Sequence, residues 1–215
     1  MQTIQQRTHG LVLDRLTANR AGKVITLAAI GGTGFGRGIA RAQDATPVDF
    51  EAPVDVINYA LTLEHIENAF YKGVADFAGS DFEAIGFQTG VKDRLTAIGK
   101  HEKAHVDALT AVVKQLSGDP VKAGTYDFGY GNLTEFLQVA AALEGVGVAA
   151  YGGAAQYLID EDDLLTAALT IHGVEARHAS YLNVVNGTNP FPAAFEKPMT
   201  KAEVLEAAGP FIKSM

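Results

Sequence analysis

Two stretches of this chain interrupt an apolar helical seam in the same way, with Glu-x-x-His at mid-length. One runs Val91, Leu95, Ile98, Glu102, His105, Leu109, Val112, Leu116; the other runs Leu164, Ala168, Ile171, Glu175, His178, Leu182, Val185. Steps of four and three keep each set on one helix face. A third stretch, Leu133, Leu137, Ala140, Glu144, Gly147, Tyr151, Ala154, Leu158, carries one Glu at matching depth. A fourth, between Pro53 and Phe77, carries Glu64. Apolar seams must be buried, and buried carboxylates must be neutralised or paired. Such helices can pack together only around something that balances the charge.

Helices are expected from about Pro53 to Phe77, Phe87 to Leu116, Asn132 to Ile159, and from the acidic cluster Asp160–Asp163 to near Asn186-Gly187. Pro53 suits a first turn, and Ser117-Gly118-Asp119-Pro120 reads as a stop. Asn132 with Glu135, and Thr200 with Glu203, predict capping boxes, the latter opening a short fifth helix. Acidic residues suit the positive N-terminus of the fourth helix. No stretch alternates clearly enough to be a strand. Short links, Ala78 to Gly86 among them, make helices one and two, and three and four, antiparallel hairpins. The link from Ser117 to Gly131, at ~3.3 Å per residue, can travel a helix length. The expected fold is all-α: a four-helix bundle of two antiparallel hairpins joined by a long crossover, plus a short C-terminal helix.

The halves also repeat. Leu63-Glu64 with Tyr71 and Gly73 matches Leu143-Glu144 with Tyr151 and Gly153; Glu102-x-x-His105 with Leu109 matches Glu175-x-x-His178 with Leu182. Pseudo-twofold symmetry about the bundle centre follows.

Glu64, Glu102, His105, Glu144, Glu175 and His178 thus aim at one level of the core. Glu and His at i and i+3 share a face, so each pair can hold one metal ion. Two divalent cations would cancel four carboxylates. Oxygen and nitrogen donors suit iron or manganese, with zinc an alternative. A single E-x-x-H is usually a surface pair; the order Glu, Glu-x-x-His, Glu, Glu-x-x-His on four helices is far more specific.

Tyr71 and Tyr151 lie two turns after Glu64 and Glu144, placed to hydrogen-bond a ligand carboxylate or to carry electrons; the competing reading is plain core tyrosine. Glu67, where the second half has Gly147, reads first as a solvent-side acid and second as an extra ligand or metal-access residue. His65, His101 and His172 read as surface or supporting residues. Gly145, Gly147, Gly152 and Gly153 are costly in a helix and imply close approach, at a homodimer contact or along a substrate channel.

With these residues in view, the chain resembles the ferritin-like superfamily from about Val54 to Val185. More narrowly, it is similar to exported bacterial ferritin-like domain proteins grouped with plant desiccation-related proteins. The segments that carry this are ALTLEHIENAFY (60–71), HEKAHV (101–106), ALEGVGVAAY (142–151), VEARHASYL (174–182) and NPFPAAFEKPMTKAEVL (189–205). The resemblance implies Glu102 and Glu175 as bridges between two metals, with Glu64 and His105 on one and Glu144 and His178 on the other. It implies a di-metal centre, iron first, that reacts with dioxygen or hydrogen peroxide in a ferroxidase or detoxification role tied to stress. The alternative is a non-catalytic stress protein whose metal is structural. A storage cage is a weaker third reading.

The chain has no cysteine, which removes thiolate metal sites, disulfides and thiol nucleophiles. A net charge of −8 with no basic patch argues against nucleic acid as partner. The charge is uneven: residues 1–42 carry six basic residues and one acid. Arg15, Arg20 and Lys23 precede an apolar run, Val24 to Phe35, then Ala40-Arg41-Ala42. That is the order of an export signal, too short for a stable membrane anchor. Residues 1–42 are therefore read as an export signal, or else a disordered arm, and 43–215 as the folded domain with its bundle at about 53–187. The mature protein would begin at Gln43 and be periplasmic or extracellular. GGTGFGRG does not satisfy a dinucleotide-binding glycine pattern.

Overall fold

The computed structural model describes residues 49–84, 86 and 90–215. The segment read as an export signal, the expected new terminus at Gln43 and the expected helix start at Phe87 lie outside the described residues. Helix α1 spans Pro53–Phe70, with Pro53 in its first turn. The Asp55 carboxylate accepts from the Ala52 N–H at 2.9 Å. The α-helix ends short of Phe77: from Tyr71 to Asp76 the chain tightens into 3-10 turns. There Gly73 leaves room for Tyr130, whose hydroxyl would overlap any Cβ at that position.

The first interhelical link holds a helix the sequence reading left as loop, α2 at Gly79–Ala84, anchored by buried Phe82. Helix α3 spans Val91–Gln115. The helix stops, as expected, at Ser117-Gly118. Ser117 takes the left-handed conformation at φ 61; Gly118 is small because a Cβ would lie 2.5 Å from Val54 Cγ2.

Helix α4 spans Leu133–Ala154, and 3-10 turns continue it to Leu158. Only half of its expected capping box forms. Asn132 accepts from the Glu135 N–H at 3.0 Å, but the Glu135 carboxylate takes the Gly131 N–H at 2.7 Å instead. Helix α5 spans Asp162–Val185. Helix α6, Lys201–Ala208, carries the complete Thr200–Glu203 box.

Helix α1 packs along α3 and α4 along α5, giving the two hairpins, and α1 also meets α4 across the core. The all-α bundle is as expected. The predicted α3 seam fails in its last turns: Val113, not Val112, is fully buried, and Leu116 is 38% exposed. A helix of 3.6 residues per turn drifts ~20° per heptad from a strict seven-residue repeat.

The crossover runs beside α1. Asn58 holds it at both Asp119 O (3.1 Å) and Val121 N (2.9 Å), and the His65 ring meets Val121 O at 3.1 Å. Phe128 and Tyr130 then reach Phe70. From Asn58 to Phe70 is roughly 18 Å of helix. This segment also holds a strand that sequence alone did not show. β1 (Thr125–Tyr126) pairs antiparallel with β2 (Ile212–Ser214), tying the C-terminal segment to the crossover.

Leu133–Leu158 is long and apolar enough to cross a membrane, yet over half of that window is buried within the bundle. Its hydrophobicity serves the core.

Candidate metal centre

Each half of the bundle delivers the same side chains to one level. Helix α1 brings Glu64, α3 brings Glu102 and His105, α4 brings Glu144, and α5 brings Glu175 and His178; all six are buried. His105 Nδ1 lies 3.2 Å from Glu64 Oε2, 3.0 Å from Glu102 Oε2 and 3.0 Å from Glu175 Oε1. His178 Nδ1 lies 3.1 Å from Glu102 Oε1, 3.2 Å from Glu144 Oε2 and 3.6 Å from Glu175 Oε2. Glu102 and Glu175 therefore each face both histidines, whereas Glu64 belongs to the His105 side and Glu144 to the His178 side. Two overlapping groups result, Glu64/Glu102/His105/Glu175 and Glu102/Glu144/Glu175/His178. In each, the donor atoms lie within 4.8 Å of one another, so each could hold a metal ion.

The tyrosines cross between halves. Tyr71, which follows Glu64 in sequence, donates to Glu144 Oε1 at 2.5 Å; Tyr151, which follows Glu144, donates to Glu64 Oε1 at 2.5 Å. Each hydroxyl occupies one oxygen of an outer carboxylate and leaves the other facing a histidine. Burial first, then the adjacent carboxylates, pushes both phenols well above their ordinary range, so they stay hydrogen donors.

Glu67 corrects the sequence reading. It is 3% exposed, not a solvent-side acid. Its Oε1 lies 3.0 Å from the position a Cβ would take on Gly147, its counterpart in the other half. The two positions face each other across the core, and only one can hold a large side chain. Burial, then the surrounding carboxylates, drives Glu67 well above the carboxylate range.

The electrostatics of the six are set by crowding. Burial pulls the imidazolium of His105 down, but the adjacent carboxylates of Glu102, Glu175 and Glu64 outweigh it and push its pKa up to about 12. His178 is likewise pushed up to about 11 by Glu102, Glu144 and Glu175 against burial. Glu175, though burial raises it, is brought down to about 2 by the two histidines. Burial carries Glu64 up to about 8 and Glu144 well above the usual range, each opposed by its histidine.

Protons on the two imidazoles do not complete this site. Glu102 Oε1 and both Glu175 oxygens are buried without a hydrogen-bond donor of acceptable geometry. Each lies 3.0–3.6 Å from an imidazole nitrogen, close enough for charge attraction but without a well-directed bond. Cations between the histidines and the shared carboxylates would satisfy them, so the residues fit a pair of metal ions.

His101, read from sequence as a surface or supporting residue, stacks on His178 with its ring planes 10° apart, and its Nδ1 lies 2.9 Å from His178 Nε2. It sits one turn before His105, a spacing that could have revealed it. The matching residue in the other half is Val174, so only His178 has this partner. His172 is half-buried. The glycines are accounted for inside the chain where they matter: Gly147 makes room for Glu67, and Gly153 for the backbone of Met199. Gly145 touches nothing that would exclude a side chain.

A family model described as a ferritin-like domain matches residues 52–188. No curated protein matches the chain.

Proposed function

We propose, because the chain belongs to the family defined by the ferritin-like domain, that its buried cluster holds two metal ions, iron first, and reacts with dioxygen or hydrogen peroxide. The observation that carries this reading is the pair of overlapping ligand groups sharing Glu102 and Glu175, together with the three oxygens on those two residues that lack a well-directed hydrogen bond. Glu64 and His105 would complete one position, Glu144 and His178 the other. The four carboxylates of Glu64, Glu102, Glu144 and Glu175, ionised on binding, would balance two divalent cations. Manganese and zinc satisfy the same donors.

Bound in reduced form, two iron ions would supply the two electrons that an oxidant such as peroxide takes up. The chain's own part is positional. Tyr71 and Tyr151 fix the outer carboxylates, and His101 fixes the ring of His178. Apolar residues such as Leu61, Leu95, Leu137 and Leu182 close the surrounding core. A groove between α3 and α5 reaches His105 and His178 and offers small molecules a path.

Export, and a role in stress protection of the kind the sequence resemblance implies, belong to this proposal. They are supported by the basic, then apolar, head of the chain and the segments at 60–71, 142–151 and 189–205. The test is direct: purify the protein, measure its metal content, and add Fe(II) or hydrogen peroxide in air. Repeated turnover supports the reading. Bound metal without turnover, with helix content lost on chelation, would assign the metal a structural role instead.

A further inference from the structure

The two halves of the centre match in their six donors but not in what stands behind the histidines. His178 turns Nδ1 to the carboxylates of Glu102, Glu144 and Glu175 and Nε2 to His101, whose Nδ1 lies 2.9 Å away. The ring planes are 10° apart and the centroids 5.2 Å apart. For nitrogens in contact at 2.9 Å, that centroid distance is the largest the two ring radii permit. The parallel rings are thus slid past each other until they meet edge to edge, nearly in one plane, and the hydrogen bond runs along the lone pair of its acceptor. The repeat places Val174 on α5 where α3 has His101, and both line the groove outside the histidines. Val174 offers no acceptor. His105 bonds Glu64 and Glu102 through Nδ1, and its Nε2 has no hydrogen-bond partner among the described residues.

An imidazole that gives one nitrogen to a metal ion keeps its proton on the other. For His178 the inward nitrogen is Nδ1, so that proton sits on Nε2, in line with His101 Nδ1 as acceptor. His101 then carries its own proton on Nε2. An acceptor behind a metal-bound histidine fixes its tautomer and ring angle and raises the basicity of the ligand nitrogen. His105 receives no such help from the chain. We infer that His101 is a positioning residue that makes the two metal positions unequal: the Glu144/His178 position binds its ion more tightly than the Glu64/His105 position, although their donor atoms are of the same kinds. The inference rests on the two-metal reading and adds to it an order of filling.

The experiment titrates the full chain, freed of metal by a chelator, with Zn(II) in a calorimeter. Wild type should take up its two ions in separate steps, and His101→Ala should weaken the tighter one. Two further variants isolate the positions: Glu64→Ala leaves the His178 position and Glu144→Ala the His105 position. His101 is exposed, so its removal should leave the fold intact, as circular dichroism would verify. Added to Glu64→Ala, His101→Ala is expected to weaken Zn(II) binding ~10-fold or more; added to Glu144→Ala, it should change nothing. His101→Asn, whose amide oxygen can accept the same proton, should restore most of the loss, and Val174→Ala, the mirror substitution, should alter neither position. In Zn(II)-loaded protein the Nε2 proton of His178 should give an NMR signal that exchanges slowly with water and disappears with His101→Ala, a change that loss of mere packing would not produce. Equal steps in wild type, equal weakening at both positions, no weakening at the His178 position, or an Asn variant as weak as Ala would each overturn the inference and leave the two ions in place. A wild-type chain that takes up no Zn(II) would overturn the metal reading, and this inference with it.

Discussion

At the scale of single residues, sharing is what separates the six candidate ligands. Glu102 and Glu175 each face both histidines, whereas Glu64 and Glu144 face one each. Glu102→Ala should therefore strip most of the metal from both positions, while Glu64→Ala should leave about one ion per chain, held by the second group. Metal analysis of the purified variants decides it; equal losses would contradict the bridging assignment. The tyrosines act through the carboxylates they hold. Tyr151→Phe removes a 2.5 Å bond to Glu64 and should weaken metal binding ~10-fold or more, seen as a shifted titration curve with unchanged stoichiometry. Loss of stability without any change in affinity would make Tyr151 only a core residue. The convergence of these six side chains was legible in the sequence because spacing on a helix fixes direction. That Tyr71 serves Glu144 and not its neighbour Glu64 was not legible, since spacing says nothing of which half a side chain crosses to. Glu67 was misread for a similar reason: one turn from Glu64, it lies on a helix face that only the glycine opposite could show to be buried.

At the scale of elements, the pseudo-twofold repeat is used twice with different guests. Gly73 and Gly153 are equivalent in the two halves. One receives Tyr130 from the crossover, the other the backbone of Met199. Met199 donates its N–H to Ala149 O at 3.0 Å, and α6 then packs on α4. Gly153→Ala would push a methyl into a main-chain carbonyl that cannot rotate aside. A loss of about 1–3 kcal/mol is expected, read as a lower urea midpoint with unchanged slope, while metal content stays at the wild-type level. Unchanged stability would show that the C-terminal segment is not held there. The helices themselves followed from periodicity and caps. The short strands did not, because two or three residues are too few to alternate, and pairing between residues near 125 and 212 leaves no local trace. The drift of the α3 seam from Val112 to Val113 has the same origin as its regularity: a sevenfold pattern read off the sequence assumes a supercoil, and a straighter helix departs from it within a few turns.

At the scale of the whole molecule, the buried centre couples folding to pH, and the sign can be worked out group by group. In an unfolded chain His105 and His178 titrate near 6.5, but in the fold they are pushed up to about 12 and about 11. Below the unfolded value both states carry these protons, and the histidines' stabilising contribution is whole. As pH rises above it, the unfolded chain releases protons that the metal-free fold retains, so stability falls with pH. Glu64, held up at about 8, acts in the same direction across neutral pH. Glu175, brought down to about 2, acts oppositely, with stability lost as pH falls through that value, and so contributes no slope near neutrality. Chelated protein should therefore melt at lower temperature at about pH 8.5 than at about pH 6. Bound cations would take the place of those protons, and proton competition with them weakens as pH rises. Zn(II)-loaded protein should consequently lose less, and the gap between loaded and chelated melting temperatures should widen across that interval. Thermal melts of both forms at several pH values measure this. A chelated protein that grew more stable with rising pH, or a gap that closed, would mean that the carboxylates do not hold the histidines cationic at the centre, and the charge balance from which the two metal ions were inferred would fail with it.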